Sequence, residues 1–146
     1  MSGDREAAAR RYAAFLEQVT ADNLEQLRAL TAPDVRFKDP FNDVRGQERM
    51  IRAFADLFKI ARDVRFEVRA VACADQVCFI LWDFACTPRR SGQTWRFRGV
   101  SEVRVDDDGR IALHIDHFDS GGQFYARLPV VGTLVRFVRR RLQIED

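Results

Sequence analysis

The sequence has 146 residues, of which 47% are hydrophobic and 32% charged, and its formal net charge is +2. A chain of this length ordinarily folds as one domain and buries roughly 68–70% of its unfolded surface. The balanced charge gives no case for nucleic-acid binding, no apolar run reaches the ~18 residues of a membrane span, and no signal peptide is expected.

The first two helices are predicted from hydrophobic spacing and from a capping signal. Apolar residues recur every three or four positions in residues 8–19, with arginines and glutamates between them. Asp22 followed by Glu25 is typical of a capping box, which would open a second helix with leucines on its inner face at residues 24–30. Pro33 is expected to end that helix.

A short strand and a third helix follow. Residues 34–38 alternate apolar and charged side chains and lead into the pair Asp39-Pro40. After Gly46, apolar residues at helical spacing in residues 50–58 predict the third helix.

The remaining core is predicted to be a sheet, because the apolar period changes from 3.6 to 2 at Asp63. Four such segments, at about residues 64–70, 78–84, 95–104 and 111–119, are separated by turn sequences and predict an antiparallel meander. Helices beside such a sheet predict an α+β domain, with the helices packed on one face of a curved sheet.

The phase of the last strand decides which side chains face the helices. Its even-numbered residues are expected to point inward, namely Ala112, His114, Asp116 and Phe118. Its odd-numbered residues are then expected to point outward, namely Ile111, Leu113, Ile115 and His117. Together with Val71 and Val100 they give an apolar outer face, which predicts a homodimer packed sheet to sheet.

The predicted concave side combines many aromatic residues with few polar ones. The aromatic set is Tyr12, Phe54, Trp82, Phe84, Trp95, Phe97 and Phe118. The polar set is Asp39, Ser101, His114 and Asp116. An apolar cavity with a few convergent polar groups is typical of a small-molecule site, and a carboxylate in it suits proton transfer.

The cysteines Cys73, Cys78 and Cys86 have no metal-ligand spacing and lie in apolar, strand-like surroundings. Unpaired cysteine in such a setting usually behaves as a small hydrophobe, so we expect three free thiols in a reducing, cytoplasmic compartment. Nearly all the basic residues are arginines, which is typical of a GC-rich bacterial genome.

Several short sequences resemble the nuclear transport factor 2-like superfamily, in particular its ketosteroid isomerase and SnoaL-like polyketide cyclase branches. They are RRYAAFLEQ, FKDPF with the glycine after it, IRAF in the third helix and the closing HIDHFD, within residues 8–119. The resemblance implies a cone-shaped fold, in which helices pack into a strongly curved, mixed and mostly antiparallel sheet with a cavity at one end. Residues 120–143 are then a C-terminal helical extension.

The resemblance also implies roles for the polar residues. Tyr12 matches the tyrosine that donates a hydrogen bond to the substrate oxygen in ketosteroid isomerases, and Asp39 matches their general base. Ser101 stands where those enzymes have a protonated aspartate that completes the oxyanion hole. Asp116 matches the acid/base aspartate of the cyclases, and His114 lies beside it without a counterpart. Neither a metal nor a cofactor is implied.

Purely structural roles explain the same residues. Asp39 equally suits a turn in which its carboxylate bonds nearby backbone, and Tyr12 suits a helix residue with a satisfied hydroxyl. His114 and Asp116 lie two apart on a strand and suit a buried hydrogen-bonded pair, whereas a metal would need a third ligand. The aromatic residues are typical of a core. Asp119 is expected to cap the helix after the last strand.

The C-terminal extension has an apolar stripe among arginines. Its sequence, QFYARLPVVGTLVRFVRRRLQ, is expected to be helical, with Pro129 and Gly132 dividing it into two pieces. One interpretation is a helix that covers the sheet or the pocket mouth, with arginine stems lying over apolar surface. The alternative is a basic amphipathic helix that rests on an anionic membrane.

The preferred hypothesis is one SnoaL-like domain that holds a small apolar or polycyclic ligand. As an enzyme it would isomerise, cyclise or dehydrate a carbonyl compound by proton transfer without a cofactor. The alternative is a non-catalytic module of the same fold that binds a ligand, a protein or a membrane.

Overall fold

The structure is a computed structural model and describes residues 2–144. The helices in this part of the chain are α1 (Ser2–Gln18), α2 (Leu27–Leu30), α3 (Gln47–Ile60), α4 (Ser120–Gln123) and α5 (Pro129–Leu142). The strands are β1 (Thr31–Lys38), β2 (Asp43–Arg45), β3 (Ala61–Ala74), β4 (Val77–Pro88), β5 (Trp95–Val105) and β6 (Ile111–Phe118). Two 3₁₀ turns, Leu24–Gln26 and Tyr125–Arg127, come before α2 and α5.

One mixed sheet contains these strands in the order β2-β1-β6-β5-β4-β3. The strands β3 to β6 form the antiparallel meander that the sequence predicts. β1 pairs with β6 in parallel, and β2 pairs with β1 antiparallel at the edge. The predicted α+β class, with helices packed against a curved and mostly antiparallel sheet, is therefore confirmed.

The core lies between the sheet and the helices α1 and α3. On α1, Ala9, Tyr12 and Leu16 are buried on one helix face, because residues three or four apart are neighbours on a helix. The short alanine side chain lets the helix backbone approach the sheet. α3 contributes Met50 and Phe54 to the same core.

Gly46 sets the start of α3. Its φ of 94° is a left-handed conformation that glycine adopts without strain. Its N–H donates to the carbonyl of Val35 on β1 at 2.8 Å. This bond ties the start of α3 to the sheet and so sets where Met50 and Phe54 enter the core.

The second predicted helix is wrong in its start and its length. Asp22 does not cap it, because the residue before the 3₁₀ turn is Asn23, which makes no side-chain cap bond. The Asn23 side chain bonds back towards the end of α1, and Glu25 pairs with Arg28. α2 has only four residues, and β1 begins immediately after it at Thr31.

Two register shifts in the sheet correct the predicted side-chain faces. A bulge adds one residue to one strand, so the side chains after it change face. Just after Val68 the pairing of β3 with β4 shifts, and Val71 packs against the core instead of facing outward. After Arg104 the pairing of β5 with β6 shifts, and Ile111 is buried although its odd position predicts an outward side chain.

The prediction of three free thiols is also wrong. Cys73 and Cys78 form a disulfide across the β3–β4 hairpin, where they are directly paired with their Cα atoms 4.0 Å apart. The missed signal is the short spacing of the two cysteines around the turn at Asp75, which has a positive φ. Cys86 is free and buried, and this burial raises the pKa of its thiol to about 11. The cysteine argument for a reducing compartment therefore no longer holds.

The C-terminal extension is helical, and its apolar side is exposed. Asp119 caps α4 as predicted. The Gln123 side chain accepts from the N–H of Arg98 and donates to its carbonyl. These bonds pair the β5 backbone beyond the point where β6 ends at Phe118. Gly132 lies within α5 and does not divide it. Its missing side chain leaves room for the carbonyl of Ala126 beside the helix backbone. Within residues 2–144, no helix is long and apolar enough to cross a membrane.

The indole of Trp82 lies over Gly99 on the neighbouring strand. A Cβ atom at Gly99 would lie 2.5 Å from Cη2 of Trp82 and 2.8 Å from the carbonyl oxygen of His117. Only glycine fits this position without movement of its neighbours, so Gly99 determines how Trp82 is placed.

Replacing Gly99 by alanine is expected to destabilise the fold by about 1–3 kcal/mol, because the added methyl group overpacks the Trp82 ring. Gly3→Ala is the matched control, since a Cβ atom there meets nothing within 4 Å and alanine favours the helix α1. Urea unfolding followed by tryptophan fluorescence measures both free energies of unfolding. Equal stability of the two variants would contradict this packing.

Candidate functional site

Five side chains form a continuous hydrogen-bonded path through the core, which we call the polar chain. The Tyr12 hydroxyl lies 2.6 Å from Nδ1 of His114, and Nε2 of His114 lies 2.7 Å from Oδ1 of Asp116. The Ser101 hydroxyl donates to the same Oδ1 at 2.6 Å. The indole N–H of Trp82 donates to the Ser101 oxygen at 2.8 Å.

The five members of the polar chain come from four elements, α1, β4, β5 and β6. His114 and Asp116 lie two apart on β6 and therefore share one face. Ser101 is paired directly with Asp116 across β5 and β6, and Trp82 on β4 reaches it from the next strand. Tyr12 on α1 meets the His114 ring edge-on, with ring centroids 5.6 Å apart. The sheet register thus brings together four of the predicted site residues.

With His114 as a neutral imidazole, the hydrogen bonds define one set of proton positions. An ionised Asp116 accepts from Nε2–H of His114, which leaves Nδ1 as the acceptor for the Tyr12 hydroxyl. Burial, and secondarily the negative charge of Asp116, raise the pKa of Tyr12 well above its usual range. Tyr12 therefore remains a donor, and its hydroxyl is used by the protein itself.

Asp116 is the member of the polar chain that reaches the surface. Its side chain is 18% exposed, whereas that of His114 is 3% exposed. Both of its donors contact Oδ1, and no hydrogen bond to Oδ2 is present within residues 2–144. A carboxylate held by one oxygen and open at the other is suited to accept or donate a proton.

The aromatic residues predicted to bind a ligand contact one another. Phe84 stacks on Phe97 with centroids 5.8 Å apart, and Phe97 lies 5.6 Å from Phe118. Trp95 and Trp82 extend this cluster at 6.2 Å each, one against Phe97 and the other against Phe118. The concave side is therefore filled mainly by its own aromatic side chains.

Three phenylalanines near the site were missed from the sequence. Phe37 on β1 lies 4.9 Å from the His114 ring and also contacts the predicted residue Phe54. Phe124, after α4, contacts Phe41 at 5.0 Å and Trp95 at 5.3 Å. The aromatic residues in QFYAR were a visible signal, but the contacts of Phe124 with Phe41 and Trp95 join distant parts of the chain and depend on the tertiary fold.

Asp39 lies in a turn, separate from the polar chain. Its Oδ1 accepts from the backbone N–H groups of Phe41 at 2.8 Å and Asn42 at 2.6 Å. The side-chain amide of Asn42 reaches its two oxygens at 3.2 and 3.3 Å. These bonds perform the turn role that the sequence allows for Asp39. No hydrogen bond in the described part of the chain connects Asp39 with the polar chain.

The surface of the described residues includes two depressions near the sheet and α3. The smaller, about 290 Å³, is lined by Asn42, Val44, Arg49, Arg52, Ala53 and Asp56. The larger, about 470 Å³, is lined by Arg65, Glu67, Arg69, Asp83, Phe84, Ala85, Arg96, Phe97, Arg98 and Gln123. Neither is lined by a predicted catalytic residue, and only Phe84 and Phe97 of the predicted ligand-binding residues contribute.

The larger depression is an ion-paired surface. Asp83 accepts from Arg98 at 2.8 Å and from Arg69 at 2.7 Å. These bonds, with the Arg98 bond as the larger cause, lower the pKa of Asp83 to about 2. Exposed ion pairs of this kind contribute little to stability, and the lowered pKa makes Asp83 a weaker base than an unpaired aspartate.

Metal binding has no support from the described residues. Within residues 2–144, no three His, Cys, Asp or Glu side chains are close enough to hold a metal ion. His114 and Asp116 are already joined in the polar chain. That the protein works without a cofactor stays a prediction.

Replacing Tyr12 by phenylalanine is expected to lower the free energy of unfolding by about 1–3 kcal/mol, because Nδ1 of His114 is then buried without a donor. Tyr125→Phe is the matched control, since the Tyr125 hydroxyl makes no hydrogen bond with residues 2–144 and its loss should change stability by less than about 0.5 kcal/mol. Thermal and urea unfolding measure both. A Tyr12→Phe variant as stable as the control would contradict the polar chain.

A family model of the SnoaL-like domain matches residues 12–114. The matched segment runs from Tyr12 on α1 to His114 on β6 and includes most of the sheet. The resemblance stated from the sequence is therefore confirmed. No curated protein matches the sequence.

Solved structures share this fold over most of the chain. A protein with a ketosteroid isomerase-like fold from Catenulispora acidiphila, in complex with trimethylamine, has a TM-score of 0.71 at 16% identity, over 84% of this chain and 93% of its own. An NTF2-like protein from Burkholderia thailandensis has a TM-score of 0.70 at 17% identity, over 96% of this chain and 98% of its own. An LEH-like epoxide hydrolase from M. tuberculosis has a TM-score of 0.67 at 16% identity, over 94% of this chain and 98% of its own. Identities this low establish a common fold and transfer no activity.

Proposed function

This chain belongs to the SnoaL-like domain family, and we propose that it binds a small apolar or polycyclic ligand beside Asp116 and transfers a proton there without a cofactor. The observation that carries the proposal is the state of the Asp116 carboxylate. Oδ1 is held by two donors, while Oδ2 has no partner in residues 2–144 and the side chain is partly exposed. A fixed base beside aromatic side chains suits an apolar carbon acid.

The polar chain favours base chemistry over an oxyanion hole. The hydroxyls of Tyr12 and Ser101 and the ring N–H groups of His114 and Trp82 are all donated to protein acceptors. None of these donors is left for a substrate oxygen, including Tyr12 and Ser101, the two predicted from the resemblance. Oδ2 of Asp116 is therefore the group that would remove a proton from carbon and return it.

Ligand entry would need aromatic side chains to move. The concave side is closed by contacts such as those of Phe124 with Phe41 and Trp95. Phe41 is largely exposed, so its side chain can swing away without breaking core packing. We place the ligand among Phe97, Phe118 and their neighbours, next to Asp116.

The test is hydrogen exchange on a simple bicyclic ketone. The full chain, incubated with tetralone in deuterium oxide, is expected to accelerate deuterium uptake next to the carbonyl, as measured by mass spectrometry. Asp116→Asn should lower this rate by about 100-fold or more, because Oδ2 is replaced by an amide nitrogen while Oδ1 keeps its two donors. Asp34→Asn, an exposed aspartate on β1, is the matched control.

The same assay tests the predicted role of Asp39. If Asp39 is the general base, Asp39→Asn should lower the exchange rate as much as Asp116→Asn does. If Asp39 is a turn residue, Asp39→Asn should change mainly the stability of the fold. Naphthol fluorescence provides a separate measure of ligand binding. Naphthol binding without exchange in any variant would favour the alternative, a non-catalytic binding module. Unchanged exchange in Asp116→Asn would refute the proposal.

We also propose a homodimer through the outer face of the sheet. Phe79, Leu81, Val100 and Ile115 lie on this face and remain partly or largely exposed in the single chain. Sedimentation is expected to give a dimeric mass, and Leu81→Glu a monomeric one, because a buried charge opposes association. Leu134→Glu, on α5, is the control that should leave the dimer intact. A monomeric mass for the unmodified chain would contradict this interface.

A bacterial, cytoplasmic location stays a prediction. The disulfide between Cys73 and Cys78 removes the cysteine argument for it.

A further inference from the structure

The polar side of the last helix, α5, packs on the 3₁₀ turn Tyr125–Arg127 that precedes it. Gly132 is its buried residue and contacts the carbonyl of Ala126. The guanidinium of Arg136 donates to the same carbonyl. Gly132 and Arg136 are four residues apart and therefore lie on the same side of the helix. This side, which contacts the turn at Ala126, carries no large apolar residue.

The opposite side of α5 is apolar and exposed. Its large residues are between 45% and 84% exposed, namely Val130, Val131, Leu134, Phe137, Val138 and Leu142. At the helical repeat they cover about half of the circumference. A helix of 14 residues is marginal in water unless its apolar side is packed. An apolar surface of this kind marks a binding face.

The charge of this segment has a single sign. Between residues 120 and 144 every charged residue is an arginine, namely Arg127, Arg136, Arg139, Arg140 and Arg141. Acidic residues follow only at Glu145 and Asp146. Arg139 and Arg140 flank the apolar side, and Arg141 lies with its guanidinium 5.1 Å from the Phe137 ring.

An anionic bilayer complements both features. Its acyl boundary accepts the apolar side chains, and its head groups pair with the arginines. A second copy of α5 is a poorer match, because it would bring the two sets of arginines together and like charges oppose association. At about 21 Å the helix is also shorter than the ~30 Å hydrocarbon core, so it would lie along the surface.

We infer that α5 binds the surface of an anionic lipid bilayer, with its apolar side in the acyl boundary and its arginines among the head groups. Gly132 and Arg136 hold the polar side of the helix against the preceding turn at Ala126, and this leaves the apolar side free to face a bilayer. This inference does not depend on chemistry at Asp116, since α5 contributes no residue to the polar chain.

Co-sedimentation of the full chain with vesicles tests the inference. Vesicles of equal parts phosphatidylglycerol and phosphatidylcholine should bind the protein, and vesicles of phosphatidylcholine alone should bind it at least about tenfold more weakly. Raising the salt concentration should weaken the binding, because it screens the attraction between arginines and head groups. Equal binding to both kinds of vesicle would overturn the electrostatic part of the inference.

A double variant on the apolar side of α5 tests which face enters the bilayer. Leu134→Ser combined with Phe137→Ser should weaken binding at least about 30-fold, because two large apolar side chains no longer enter the acyl boundary. Both residues are exposed in the structure, so the fold should be unaffected. Ile60→Ser on α3 is the matched control, since Ile60 is equally exposed and lies away from α5.

A second pair of variants tests the arginines. Arg139→Gln combined with Arg140→Gln should weaken binding to anionic vesicles roughly 25-fold. Arg52→Gln combined with Arg65→Gln removes the same charge from other exposed positions and should have little effect. A decrease of equal size in both pairs would show attraction by net charge alone and overturn the inference.

Sedimentation without vesicles tests whether a second copy of the chain, instead of a bilayer, covers the apolar side of α5. A dimer that the Leu134→Ser, Phe137→Ser variant dissociates, with no binding to either kind of vesicle, would mean that a second copy covers the apolar side of α5. That outcome would overturn the inference, as would the absence of vesicle binding by the full chain in any oligomeric state.

Discussion

The hydrogen bonds at the two ring nitrogens of His114 are the constraint on which the rest of the site depends. A buried imidazole is stable only when both nitrogens have partners, so Tyr12 must reach it from α1 and Asp116 from β6. These two bonds set how closely the helix approaches the sheet. The bonds from His114 and Ser101 both use Oδ1 of Asp116, which leaves Oδ2 free within the described residues.

This constraint argues against the oxyanion hole that the resemblance to ketosteroid isomerases implies. An oxyanion hole needs donors that are free until the substrate arrives, but the donors of the polar chain are bonded to protein acceptors. What remains is a carboxylate oxygen beside an aromatic cluster. Proteins that share this fold include one with a ketosteroid isomerase-like fold and an LEH-like epoxide hydrolase, so the chemistry must be argued from the site itself.

Three surfaces carry the three proposals, and each can fail without the others. The ligand proposal depends on Asp116 and the aromatic concave side, and the dimer on the apolar residues of the outer sheet face. The membrane inference depends on α5, which packs through Gly132 and Arg136 on the turn that precedes it. Because the sheet lies between the concave and outer faces, ligand binding and dimer formation use opposite sides of the same strands.

The α+β class, α1, α3, the four-strand meander and the cap at Asp119 followed from the sequence alone, because each depends on neighbours within a few residues. The sequence also identified His114 and Asp116 as a pair, since two positions apart on a strand means one face. Only the tertiary structure decided that Asp39 serves its own turn and that Asp116 keeps a free oxygen. It also decided the faces of Val71 and Ile111 and the bond between the first two cysteines. These features depend on strand register and on bulges, which are set by contacts between distant parts of the chain.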